Sequence, residues 1–65
     1  MRIDRIKLIS EMARQNLTVK ELAEKACVSR MTVSSMRSGK SVNENSARHI
    51  ARALGVELDA LKEEV

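Results

Sequence analysis

The chain contains no aromatic residue and no proline, and it has only two glycines, one cysteine and one histidine. Each shortage excludes something. Without Phe, Tyr or Trp the apolar set is Leu, Ile, Val, Ala and Met, which favours helices over strands. A lone thiol, Cys27, cannot form an internal disulfide, and one further candidate ligand, His49, is too little for a structural zinc site. There is no Gly-rich phosphate loop. Ser34 and Ser35 have no His or acid near them in sequence to activate a hydroxyl, so nucleophilic catalysis lacks its base. No apolar run is long enough to span a bilayer, and Met1-Arg2-Ile3-Asp4-Arg5 lacks the unbroken apolar stretch of a signal peptide. The expectation is a cytoplasmic protein that is not an enzyme and has no metal, cofactor, small-molecule ligand or membrane partner.

What is present is a short, soluble, helix-forming chain. Its 65 residues are expected to form a single domain, residues 1–65. A domain of this size buries only about 60% of its unfolded surface, so its support must come from helix packing or self-association. The net charge of +3 is unevenly spread: residues 1–40 carry nine Lys/Arg against four Asp/Glu, and residues 41–65 carry three against five. A basic front and an acidic tail fit a polyanion met by one side of the molecule.

Helical periodicity runs through the chain. In residues 4–15, Asp4 is a candidate N-cap, and Ile6, Ile9 and Ala13 form an apolar stripe with Leu8 and Met12 beside it. Thr18-Val19-Lys20-Glu21 reads as a capping box, flanked by Leu17 and Leu22 at the staple positions. Val19, Leu22, Ala23 and Ala26 continue that helix to about residue 26. After a break at Cys27-Val28, Ser29 caps a third helix over residues 29–38, which Gly39 stops. Asn43 caps a fourth, whose core face is Ala47, Ile50, Ala51 and Leu54, with Val42 and Ala47 as a staple pair and Gly55 at its end. A last helix is expected at about residues 58–64, carrying Leu58, Leu61 and Val65. The fold class expected is all-α, a five-helix bundle.

The second and third helices carry the functional signal. A small residue (Ala23) four positions before a turn, a buried plug after it (Val28), and two inward apolar residues three apart (Val33, Met36) are what a helix-turn-helix requires. With Val33 and Met36 inward, Met31, Ser34, Ser35 and Ser38 fall on the far side of the third helix, with Arg30 and Arg37 on its flanks. Small side chains let a helix sit deep in a groove, and Arg30 has the reach for a guanine edge.

The stretches Leu17-Thr18-x-x-Glu21-Leu22-Ala23, Val28-Ser29-Arg30-x-Thr32-Val33-Ser34, Gly39-Lys40 and Ile50-Ala51-x-Ala53-Leu54-Gly55-Val56 resemble the Cro and phage-repressor helix-turn-helix family, also called the xenobiotic-response-element type. The resemblance spans residues 17–61, about two thirds of the chain. It implies a lambda-repressor-like domain of five helices, with the third in the major groove of double-stranded DNA. By that resemblance Arg30, Met31, Ser34 and Ser35 read bases, and Thr18, Lys20, Ser29, Arg37, Ser38 and Lys40 meet phosphates. The chain departs from the family pattern at four places. Val19 stands where Gln is frequent, Cys27 where a turn glycine is usual, Arg37 where an acidic residue is common and Val42 where proline is. Residues 26–55 also resemble the lactose-repressor headpiece, but those proteins begin at their helix-turn-helix, and here a full helix precedes it.

The functional expectation is a sequence-specific transcriptional regulator of the repressor kind. The alternative from another class is a protein-interaction module, antitoxin-like or an adaptor, on the same fold; an exposed Met31 and an apolar last helix favour it. Two-fold operators go with dimers. The candidate self-association surfaces are the last helix (Leu58, Leu61, Val65) and the first (Leu8, Met12), leaving room for a homodimer that forms only on DNA. Arg2, Arg5, Arg14, Lys25, Arg48 and Arg52 read as solvated surface charge, Cys27 as a small turn hydrophobe and His49 as a surface residue.

Overall fold

The computed structural model describes residues 1–63. In order along the chain are α1 (Arg5–Arg14), α2 (Val19–Ala26), α3 (Arg30–Arg37), α4 (Glu44–Leu54) and a single 3-10 turn, Leu58–Ala60. Each helix starts where a short polar side chain precedes an apolar period. Asp4 Oδ1 accepts from the N–H groups of Ile6 and Lys7 at 2.9 and 3.2 Å. Ser29 Oγ accepts from Thr32 N–H at 3.1 Å, and Asn43 Oδ1 from Ser46 N–H at 2.8 Å. At α2 both halves of the capping box form: Glu21 N–H donates to Thr18 Oγ1 at 3.1 Å, and Thr18 N–H donates to Glu21 Oε1 at 3.0 Å. A cap of this kind is worth about 1 kcal/mol, a large share for helices of eight residues such as α2 and α3.

The helix ends are equally local. α2 closes at Cys27, whose φ of 58° and ψ of 41° are left-handed, and Val28 N–H reaches back to the Ala23 carbonyl at 3.0 Å. α4 closes in the same way at Gly55, φ 71°, with Val56 N–H bonded to the Ala51 carbonyl at 3.0 Å. Glycine takes that conformation freely, whereas a side chain at Cys27 carries strain.

The core joins Ile3, Leu8 and Met12 to Leu22, Ala23 and Ala26 of α2, Val33 and Met36 of α3, and Ala47, Ile50, Ala51 and Leu54 of α4. Leu61 completes it from beyond the 3-10 turn. Ala23 and Ala26 keep α2 close to both α3 and α4, its main packing partners. Among the described residues no buried side-chain polar atom lacks a partner.

Three expectations are corrected here. The fifth helix, expected over residues 58–64, is replaced by one 3-10 turn; Glu64 and Val65 lie outside the described residues. The reason is competition for the backbone. Leu61 is fully buried, its carbonyl accepts from Asp4 N–H at 2.8 Å, and Lys62 pairs with Ile3 in an antiparallel bridge. A last helix of that length would have few internal bonds with which to compete.

The first helix faces the core with a different stripe from the one expected. Leu8 and Met12 are buried, whereas Ile6 is 59% exposed, Ile9 is half-buried and Ala13 is exposed. α1 carries an apolar arc wider than its neighbours cover, and tertiary packing selects which part goes inside. Both surfaces expected for self-association fall with these two corrections. Leu61 and Leu8 are fully buried, Met12 nearly so, and Leu58 packs half-buried against the same core; Val65 is not described.

Residues 1–3, given no structural role by the sequence, stitch the two ends of the chain to the loop before α4. Arg2 bridges to Ser41, Val42 N–H donates to the Met1 carbonyl at 2.8 Å, and Ile3 is fully buried.

Candidate nucleic-acid interface

α3 buries Val33 and Met36 and turns its other sides outward. Arg30 stands at the first helical position and is exposed. Met31 is 78% exposed, the most open of the large apolar side chains. Ser34 and Ser38 are exposed, and Ser35 is half-buried. Thus the residues expected to read bases share one face, apart from Ser35, which turns towards α4.

The hydroxyl groups here are not equally free. Ser38 Oγ–H donates to the Ser34 carbonyl at 3.0 Å, leaving its oxygen lone pairs as the outward function. Ser29 Oγ lies 2.9 Å from Thr32 Oγ1, so the pair shares one proton and keeps the other for an outside acceptor. Thr18 Oγ1 accepts from Glu21 N–H and retains its own proton to donate. The first-turn N–H groups of Val19 and Lys20 lie outside the helical ladder, as they must at any helix start. Hydrogen bonding from Thr18 N–H holds the Glu21 carboxyl below the usual glutamate range.

Each flank of α3 opens into a groove. On one side a groove of about 370 Å³ is lined by Ile9, Met12 and Ala13 of α1, by Leu17, Thr18 and Val19 at the start of α2, and by Arg37. On the other a groove of about 270 Å³ is lined by Met31, Thr32 and Ser35 of α3 and by Ser41, Val42, Asn43 and Ser46 around the start of α4. Thr18 and Arg37, both expected at phosphates, therefore stand together on the first flank, and the exposed Lys40 lies in the loop that borders the second.

Among the described residues, the cations of this surface have no acidic partner. The ion pairs of the described residues link Arg2 with Glu63, Arg14 with Glu11, Arg48 with Glu44 and Lys62 with Asp59; they leave Lys20, Arg30, Arg37 and Lys40 without an acidic partner. One cation that the sequence assigned to solvent has a structural task. Arg2 donates from Nε and Nη2 to the Gly39 carbonyl at 3.2 and 3.1 Å, fixing the loop that leaves α3. No sequence signal marks that contact, which joins positions 37 apart.

Two short helices closed by a left-handed turn, a plug residue behind them and a polar, cation-flanked outer face are now in place. A family model for the helix-turn-helix matches residues 6–61, nearly the whole chain. The chain belongs to the Cro/C1-type helix-turn-helix family. That is a family of DNA-binding regulators, not of enzymes. Searches of curated proteins and of solved structures find no significant match. Within the helix-turn-helix, α2 is the supporting helix and α3 the helix after the turn. The turn itself carries the exposed Cys27 in the left-handed conformation. Among the described residues no helix is long and apolar enough to cross a membrane, and no group of three or more His, Cys, Asp or Glu could hold a metal ion.

Proposed function

We propose that this protein is a sequence-specific regulator of transcription, a repressor, that lays α3 in the major groove of double-stranded DNA. The observation that carries this reading is the outer face of α3: small hydroxyl side chains, an open Met31 and unpaired cations on the flanks. Ser34 and Ser38 leave room for close approach to base edges. Arg30 extends from the start of α3 towards a guanine, whose O6 and N7 match its paired donors. Met31 offers an apolar contact to a thymine methyl, and Ser35 a hydrogen bond from the second flank. Phosphates on one side of the groove meet Thr18, Lys20 and Arg37, and on the other Ser29, Ser38 and Lys40. These contacts supply salt-sensitive affinity and set the register, while the α3 face supplies the sequence preference.

The test is selection from a randomised duplex pool at two salt concentrations, with enriched sequences read out. Enrichment of one short site supports the reading, and an inverted repeat would give the half-site spacing of a dimer on DNA. Salt-sensitive binding without enrichment would reduce the protein to a general DNA binder. Absence of binding at low salt would favour the protein-interaction reading, to which the exposed Ile6 lends a specific observation.

A further inference from the structure

The sequence marks Ile6, Ile9 and Ala13 as an apolar stripe of α1, and the fold leaves that stripe largely uncovered. Ile6 is 59% exposed, Ile9 is half-buried and Ala13 is exposed. Ile9 and Ala13 form one wall of the larger groove, with the nearly buried Met12 beneath them. Leu17 and Val19 line the same groove from the start of α2. Ile6 continues the same helical stripe one turn towards the N-terminus. The result is a mainly apolar trough that is also lined by Arg37, which has no acidic partner among the described residues. A second cation lies close to Arg37 along the chain: the Arg5 side chain passes 3.8 Å from the position a Cβ on Gly39 would take, just beyond the C-terminus of α3.

Three occupants can be compared by chemistry. A DNA backbone could use Arg37, but it would gain nothing from a floor of Ile, Met, Leu and Val side chains. A second copy related by two-fold symmetry would bring Arg5 and Arg37 of both copies into one interface, and the lining of the groove supplies no carboxylate to balance them. An acidic amphipathic segment satisfies both features, since its apolar side chains fill the trough and its carboxylates meet Arg37 and Arg5.

We infer that the α1–α2 groove docks an acidic amphipathic helix of a partner protein, and that this partner competes with DNA because Arg37 and Thr18 belong to both surfaces. The competition, though not the docking, rests on the DNA-binding reading above. A carboxylate held at Arg37 withdraws a phosphate contact, and a helix seated beside Thr18 crowds the start of α2. The groove would thus act as the point at which a protein signal releases the regulator from its site.

The experiment begins without DNA. A displayed library of random peptides about 16 residues long, roughly four helical turns, is selected against the full chain. The same selection is run against the Ala13→Glu variant, which puts a carboxylate into the trough at an exposed helical position. The expected result is enrichment of acidic peptides with apolar residues at i, i+3 and i+4. In a titration with one such peptide, the NMR signals of Ile6, Ile9, Ala13, Leu17 and Val19 should shift. Affinity should fall at least about tenfold in Ala13→Glu, because like charges brought together in an interface repel. Ile6→Ser, at an exposed site outside the proposed DNA contacts, should weaken the peptide and leave duplex binding unchanged. Circular dichroism confirms that both variants are folded.

Several results would overturn the docking: no enrichment, equal enrichment on Ala13→Glu, preference for basic peptides, or a DNA-free dimer that Ile6→Ser dissolves. Shifts of Ile9 and Ala13 on adding duplex rather than peptide would give the groove to DNA instead. Failure of the duplex selection would leave the peptide result standing, so the two readings fail separately. Peptide and duplex bound together at saturation would overturn the competition.

Discussion

The two flanks of α3 are built from different chemistry although they rise from the same helix. The flank towards α1 has an apolar floor and an unpaired arginine; the flank towards α4 is lined mainly by hydroxyl and amide side chains with Met31 and Val42 among them. The first resembles part of a protein interface, and the second can exchange hydrogen bonds with water or a phosphate. The contrast arises from what each neighbour contributes. α1 brings a surplus of branched apolar residues, whereas the segment leading into α4 brings Ser41, Asn43 and Ser46, one of which caps that helix and another of which is capped. The two proposed partners, DNA and an acidic helix, would thus meet at Arg37, the α3 residue that lines the first groove.

The largest expected effect removes a core anchor of α3, the helix that both flanks share. Met36 is fully buried in the core, so Met36→Ala should cost about 2–5 kcal/mol of stability in urea unfolding. A loss below about 1 kcal/mol would mean that the core collapses around the gap and the flanks are less rigidly joined than described. Next, Arg30→Ala should cost ~1–3 kcal/mol on the best duplex and relax preference at one base pair. An unchanged preference in the randomised pool would remove Arg30 from the reading set.

The capping box tests the α1-side flank. Thr18→Ala should lower stability by about 1 kcal/mol, measured by thermal unfolding. Its partner adds a pH signature. Because Thr18 N–H holds the folded Glu21 carboxyl below its ordinary value, the associated stability is present above the unfolded glutamate range and disappears as pH falls through the folded value. Glu21→Gln should flatten that part of the acid profile; a profile identical to the parent would mean that the bond does not persist in solution.

On the other flank, Lys40→Ala should weaken every duplex alike and reduce the salt slope by about one. A sequence-dependent loss would move Lys40 from phosphate to base contact. The smallest effect concerns the turn between the two helices. A side chain in the left-handed region costs about 1–2 kcal/mol, and glycine recovers part of this while losing more chain entropy. Cys27→Gly should therefore raise stability by a few tenths to about 1 kcal/mol, read in urea, and leave both flanks in place.

Much of the architecture was legible because it is local. Asp4, Thr18 with Glu21, Ser29 and Asn43 cap their helices through bonds spanning two or three residues, so the residue types and spacings suffice to announce them. The inward pair Val33 and Met36 was legible for a related reason. Only one orientation of α3 buries two apolar residues three apart, and that orientation puts Met31 and Ser34 outside. The same inspection misread α1, whose apolar residues cover more than one face. It also missed Ile3 and Arg2, whose partners are far along the chain.

The sequence by itself determined where α1 to α4 begin, how α2, α3 and α4 end, and which side of α3 faces out. Those choices are governed by hydrogen bonds within a turn and by periods of three and four residues. Tertiary structure decided the rest: that Leu8 and Met12 rather than Ile6 and Ala13 enter the core, and that Leu61 is drawn in instead of extending a fifth helix. It also decided that Arg2 holds the Gly39 carbonyl and that the two flanks differ. In each case several side chains or carbonyls were locally acceptable, and the limited buried volume admitted only some of them.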